Sequence, residues 1–66
     1  MLRDWIRAVE DARRCLVVDP SFAKGYLRLA ESLRHMGETV EAIEVVRRGL
    51  EVDPSSKHLL KLFHDL

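Results

Sequence analysis

Residues Ser21–Pro54, SFAKGYLRLAESLRHMGETVEAIEVVRRGLEVDP, contain two apolar patterns with helical spacing, one on each side of Gly37-Glu38. Apolar side chains recur three or four positions apart, first at Tyr26, Leu29, Ala30 and Leu33 and then at Val40, Ile43, Val46 and Leu50. Gly37 supplies the left-handed residue that commonly ends a helix. The stretch therefore predicts a helical hairpin, with one helix over about 22–36 and another over about 39–52.

The motif that ends this hairpin, Val52-Asp53-Pro54-Ser55, also precedes it as Val18-Asp19-Pro20-Ser21, 34 positions earlier. When residues 4–21 are laid over residues 38–55 without a gap, nine of the 18 positions are identical. This self-similarity predicts a repeat array. The predicted division is 1–19 as the second helix of a preceding repeat, 21–54 as one complete repeat and 55–66 as a closing helix.

Both flanking segments also have helical periodicity, which gives an all-α chain of about four antiparallel helices. The first helix is predicted over Leu2 to Val18, because Pro20 pushes the residue before it out of the helical region. Ser21 is the predicted N-cap of the next helix, and Ser55 or Ser56 that of the last. Gly25 is unfavourable inside a helix, so it predicts a close contact with a neighbouring helix.

The 34-residue period, the small residues at fixed positions and the Asp-Pro at the end resemble the tetratricopeptide repeat. The matching positions are Tyr26, Leu29, Ala30, Leu33, Gly37, Ala42, Gly49 and Pro54. Leu33 and Val46 stand where the family commonly has larger aromatic side chains, which predicts thinner packing. The resemblance implies a tetratricopeptide-like helical hairpin array, a fragment of an α-solenoid. In such arrays the first helix of each repeat lines a concave face that binds peptides or helices.

Residues 19–30 are similar to the third repeat of carboxylate-clamp co-chaperones, in which Lys24 and Arg28 match a lysine and an arginine one turn apart. The resemblance implies a protein-protein interaction module that binds acidic C-terminal tails, ending Glu-Glu-Val-Asp, of heat-shock chaperones. Side chains four positions apart share a helix face, and a peptide with two carboxylates would satisfy both cations. The further peptide-binding candidates on that face are Leu27, Glu31, Arg34, His35, His58 and Lys61.

The family's clamp also takes a lysine and asparagines from the two preceding repeats, so weak or undetectable binding of an acidic tail is expected from this chain alone. The alternative for Lys24 and Arg28 is an ordinary solvated helix face, while Tyr26 beside them is interpreted as core. A second hypothesis for the chain is a structural scaffold or a self-associating, dimerising segment without its own peptide ligand. It rests on apolar surface that lacks a partner, on the stripe around Trp5 and on the last helix. The apolar residues of the last helix are Leu59, Leu60, Leu62, Phe63 and Leu66.

The charge and composition exclude several other functions. Eleven basic and eleven acidic residues cancel, which removes the positive field that nonspecific binding to nucleic acid or anionic membranes requires. The pairs Arg13-Arg14 and Arg47-Arg48 recur at the repeat period, but nearby Glu10 and Glu44 favour a solvated scaffold. The apolar runs are far shorter than a membrane span, and the single cysteine fits a reducing compartment. The cytoplasm is the expected location.

No residues point to catalysis. Cys15 matches Gly49, which predicts packing of a small side chain at a helix crossing rather than a reactive thiol. His35, His58 and His64 lack the spacing of metal ligands. The sequence contains no phosphate loop and no nucleophile with a base that could be placed beside it. We therefore expect no enzyme activity, no metal and no cofactor.

Overall fold

The computed structural model describes the backbone of residues 2–66 and the side chains of residues 4–66. This part of the chain forms four helices and no strand: α1 (Leu2–Val18), α2 (Ala23–His35), α3 (Thr39–Val52) and α4 (Lys57–Asp65). Helix α2 lies between α1 and α3, and α4 packs on α3 and touches α2. The predicted all-α hairpin array is confirmed. None of the four helices is long and apolar enough to cross a membrane.

The turn between α2 and α3 follows from Gly37, which has a φ of +81°. The amide of Gly37 donates to the carbonyl of Arg34 over 3.0 Å, and the amide of Glu38 donates to the carbonyl of Leu33 over 2.8 Å. These two bonds form a Schellman motif, which satisfies carbonyls that the last turn of the helix leaves free. The predicted role of Gly37 is confirmed, and α3 begins at Thr39 as predicted.

The prediction that Ser21 caps α2 is wrong. Phe22 occupies the N-cap position and makes no side-chain cap, and the helix begins at Ala23 rather than Phe22. The Ser21 hydroxyl instead donates to Oδ1 of Asp19 over 2.6 Å, and its amide donates to the same oxygen over 3.1 Å. Ser21 thus lies one residue before the N-cap, where its bonds to the Asp19 carboxylate hold it in a turn.

Ser56 is the serine that caps α4, where its hydroxyl oxygen accepts from the amide of Leu59 over 3.3 Å. Ser55 repeats the behaviour of Ser21, because its hydroxyl donates to Oδ1 of Asp53 over 3.0 Å. The sequence predicted either Ser55 or Ser56 as the N-cap of α4. Ser56 has this role, while Ser55 lies in the turn with Asp53.

This difference gives a matched pair of substitutions at adjacent serines. We expect Ser56→Ala to lower the free energy of unfolding by about 1 kcal/mol, because an amide at the start of α4 loses its acceptor. Ser55→Ala should change it by less than about 0.5 kcal/mol. Urea unfolding followed by circular dichroism measures both, and equal losses for the two variants would contradict the assignment of the cap.

The core consists of two clusters of buried side chains that α2 joins. The first cluster is Ala12, Leu29, Leu33 and Ala42, from α1, α2 and α3. The second is Ala30, Val46, Leu59 and Leu62, from α2, α3 and α4. The α2–α3 hairpin is therefore packed against α1 through the first cluster and against α4 through the second.

Two glycines allow the helices of this core to approach closely. A Cβ atom built at Gly25 would lie 2.9 Å from Cδ2 of Leu16, which confirms the contact predicted there. One built at Gly49 would lie 2.8 Å from Cβ of Tyr26 and 2.9 Å from Cδ1 of Leu59. Gly49 is therefore the point at which α3 meets both α2 and α4.

The prediction that Cys15 is packed at a helix crossing is wrong, because its side chain is exposed. Its counterpart Gly49 is covered by Tyr26 of α2. Tyr26 belongs to the helix that precedes α3. No described helix precedes α1 in the same way, so no side chain equivalent to Tyr26 covers Cys15. Cys15 instead lines an open groove between α1 and α2.

Candidate peptide-binding face

Lys24 and Arg28 are both exposed on α2, one helical turn apart, but they line different cavities. Lys24 lines a cavity of about 380 Å³ near the start of α4, together with Asp53 and Lys57. Arg28 lines a cavity of about 360 Å³ between α1 and α2. A ligand that engages both cations therefore has to reach two cavities rather than lie in one.

The other six predicted site residues line a single cavity of about 190 Å³ between α2 and α4. From α2 they are Leu27, Glu31, Arg34 and His35, and from α4 they are His58 and Lys61. Leu62 and Asp65 complete the lining. These two were missed by the sequence reasoning, although they follow His58 and Lys61 on one helical stripe at spacings of three and four. That spacing is the signal that could have found them.

The cavity that contains Lys24 and the cavity between α2 and α4 share Leu27 and His58, and together we call them the α2–α4 cleft. Four lysine or arginine side chains and three carboxylates line the cleft: Lys24, Arg34, Lys57 and Lys61, with Glu31, Asp53 and Asp65. Among the side chains of residues 4–66, the only ion pair within 4.0 Å is Arg13 with Glu41, at 3.5 Å on another part of the surface. The cations of the cleft are therefore not neutralised by direct internal pairing.

His35 is held from the other side by Trp5 of α1. The two rings stack with centroids 4.1 Å apart and planes 6° from parallel. Trp5 is half-buried, because the imidazole at the end of α2 covers one face of the indole, and it also lines the open groove between α1 and α2. His35 lines the α2–α4 cleft, but one face of its ring is occupied by this stack.

Tyr26 has a structural role, as interpreted from the sequence. Its ring packs against the second core cluster, and its hydroxyl donates to the carbonyl of Pro20 over 2.8 Å. That bond ties the turn before α2 to the helix. Across the described residues, no group of three or more His, Cys, Asp or Glu side chains is placed to hold a metal ion.

Comparison with known proteins agrees with the repeat pattern. A family profile described as tetratricopeptide repeat matches residues 23–66. The chain is 43% identical over 54 residues to small glutamine-rich tetratricopeptide repeat-containing protein 2 of Mycosarcoma maydis. It is 40% identical over 52 residues to Hsp70-Hsp90 organizing protein 2 of Arabidopsis thaliana, and 36% identical over 56 residues to heat shock protein STI1 of Saccharomyces cerevisiae.

These matches cover most of the chain but little of the relatives. They take in 82%, 79% and 85% of the chain, and 15%, 9% and 10% of the three relatives in the same order. No solved structure gave a significant match. The similarity therefore concerns a repeat-sized segment of much longer proteins.

Proposed function

The chain belongs to the tetratricopeptide repeat family of protein-interaction modules, and we propose that it holds the acidic C-terminal tail of a heat-shock chaperone. The tail would lie on α2 and α4, with carboxylates at Lys24 and Arg28. The names of two relatives support the proposal, because one is called an Hsp70-Hsp90 organizing protein and the other a heat shock protein. The main support from the chain itself is that neither Lys24 and Arg28 nor the other cations of the cleft form an ion pair with a side chain of residues 4–66.

A carboxylate-bearing tail fits this arrangement chemically. A lysine ammonium and an arginine guanidinium both form charge-assisted hydrogen bonds with carboxylates, and the guanidinium can do so with two bonds. A C-terminal aspartate offers two carboxylates on one residue. Because Lys24 and Arg28 line different cavities one helical turn apart, its two carboxylates would bind one cation each while the rest of the tail follows the α2–α4 cleft.

The expected affinity is low. Ion pairs between exposed side chains contribute about 0.2–1 kcal/mol each, whereas a micromolar complex requires about 8 kcal/mol. Two such pairs contribute at most about 2 kcal/mol, which alone corresponds to a dissociation constant of about 30 mM or weaker unless other residues contribute. Such an interaction is also weakened by salt, because exposed charges are screened.

We expect the combined substitution Lys24→Ala and Arg28→Ala to weaken binding of a peptide ending Glu-Glu-Val-Asp by about 5–30-fold, which corresponds to about 1–2 kcal/mol. Titration of a fluorescent peptide at low salt, followed by anisotropy, measures the change. Arg47→Ala with Arg48→Ala is the matched control, because it removes the same charge from exposed positions of α3 and should have little effect. Equal losses for the two double variants would show that only net charge matters and would contradict the proposed site.

A further inference from the structure

Two histidines line the α2–α4 cleft. His58 of α4 lines both of its cavities, and His35 at the end of α2 lines the cavity between α2 and α4. Both side chains are exposed, so protons can reach them from the solvent. Histidine is the side chain whose charge ordinarily changes between about pH 5 and pH 8. The cleft therefore contains two groups that mild acid can charge.

The other charged side chains that line the cleft nearly cancel one another. The four cations are Lys24, Arg34, Lys57 and Lys61, and the three carboxylates are Glu31, Asp53 and Asp65. Their sum gives the cleft a net charge of +1 when both histidines are neutral, and of +3 when both are protonated. Protonation of the two histidines is therefore a large relative change in the attraction of the cleft for an anion.

The added charge is not neutralised by a direct ion pair. Among the side chains that the structure describes, no carboxylate lies within 4.0 Å of a ring nitrogen of His35 or His58. Helix α3 contributes no residue to the lining, and α1 contributes the uncharged indole of Trp5, which stacks on His35 at 4.1 Å between centroids. The negative face of an indole accommodates a cation. Both imidazoles can therefore carry charge that a ligand meets.

We propose that His35 and His58 make the α2–α4 cleft a pH-dependent site, which binds an acidic peptide more tightly in mildly acidic than in neutral solution. The inference rests on the proposed function, because it concerns the same cleft and the same class of ligand. A peptide ending Glu-Glu-Val-Asp carries four carboxylates, of which two are assigned to Lys24 and Arg28. The other two follow the cleft, where a protonated imidazole donates charge-assisted hydrogen bonds to carboxylates.

The direction of the pH dependence follows from these charges. Protonated histidines favour the bound peptide, so the affinity should rise as the pH falls through the range in which histidine titrates. The peptide keeps its own charge in that range, because carboxyl side chains ordinarily take up protons only near about pH 4. An exposed ion pair strengthens binding by up to about fivefold, so two histidines should give a rise of about threefold to tenfold between about pH 7.5 and about pH 5.5.

NMR titrations of the 15N-labelled chain with this peptide at the two pH values, at constant ionic strength, measure the ratio of the two association constants. His35→Gln with His58→Gln should reduce the ratio to near 1. His64→Gln is the matched control and should keep the full ratio, because His64 is exposed on α4 but lines neither cavity of the cleft. Circular dichroism at both pH values verifies that each variant is folded.

His58→Gln alone keeps the test independent of the stack between Trp5 and His35, because His58 stacks on no ring of the described chain. Its ratio should lie between those of the unmodified chain and the double variant. Measurable binding with a ratio near 1 for the unmodified chain would overturn the pH dependence and leave the acidic-tail proposal standing. A full ratio in the double variant would overturn it as well, since another group would then take up the proton. An absence of binding at both pH values would contradict both proposals.

Discussion

Replacement of Leu59 by alanine is expected to lower the free energy of unfolding by about 2–5 kcal/mol. Leu59 is fully buried, and its side chain fills the space between Ala30, Val46 and Leu62 where α2, α3 and α4 meet. A 66-residue chain has a total stability of only about 3–10 kcal/mol. The substitution should therefore remove a large fraction of the total stability, as urea unfolding followed by circular dichroism would measure.

Leu60→Ala is the matched control, because it makes the same chemical change one position along the same helix. Leu60 is 44% exposed, so we expect a loss below about 1 kcal/mol. Similar losses at the two positions would contradict the packing of α4, since they would require Leu60 to be as buried as Leu59.

Gly49→Ala should destabilise the chain by about 1–3 kcal/mol, even though alanine is the better helix former. The added Cβ atom would lie 2.8 Å from Cβ of Tyr26, an atom fixed to the backbone of α2. The clash can be relieved only if α2 and α3 move apart, and α3 also holds Leu59 at this point. Thermal and urea unfolding of the variant measure the loss.

Gly25→Ala is the control for this prediction, because Gly25 also lies in a helix and also has close neighbours. Its nearest neighbours are Cδ2 of Leu16 and Cδ2 of Phe22, at 2.9 and 3.1 Å. Both atoms are at the ends of side chains that can rotate away. The gain of up to about 1 kcal/mol in helix propensity should therefore offset the clash, and the stability should change little. A larger loss at Gly25 than at Gly49 would contradict this explanation.

The helices and their turn were predictable because local rules govern them. Gly37 ends α2, and α1 and α3 have the bounds that the apolar periodicity predicts. The cap of α2 was not predictable from residue preference alone. Ser21 is a favourable N-cap residue, but the helix begins one residue later than Ser21 could cap, and its hydroxyl bonds to Asp19. Residue preference identifies capping side chains but does not fix the residue at which a helix begins.

The arrangement of the candidate site was predictable only in part, because it depends on which neighbouring helix each side chain meets. The sequence predicted that Leu27 and Glu31 of α2 share a binding face with Lys61 of the last helix, and the three residues line one cavity. Helical spacing put Lys24 and Arg28 on a shared face, yet α4 borders one of them and α1 the other. The stack of Trp5 on His35 joins residues 30 positions apart, which no local pattern reveals.

The most direct test of the proposed function is an NMR titration of the 15N-labelled chain with a peptide ending Glu-Glu-Val-Asp, at low salt and up to about 10 mM peptide. We predict amide shift changes concentrated on α2 and α4, including Lys24, Arg28 and Lys61, with a dissociation constant well above about 1 mM. The same peptide with an amidated C-terminus should cause smaller changes, because one carboxylate is removed. Changes confined to α1 and α3, or no changes at all, would contradict the proposal.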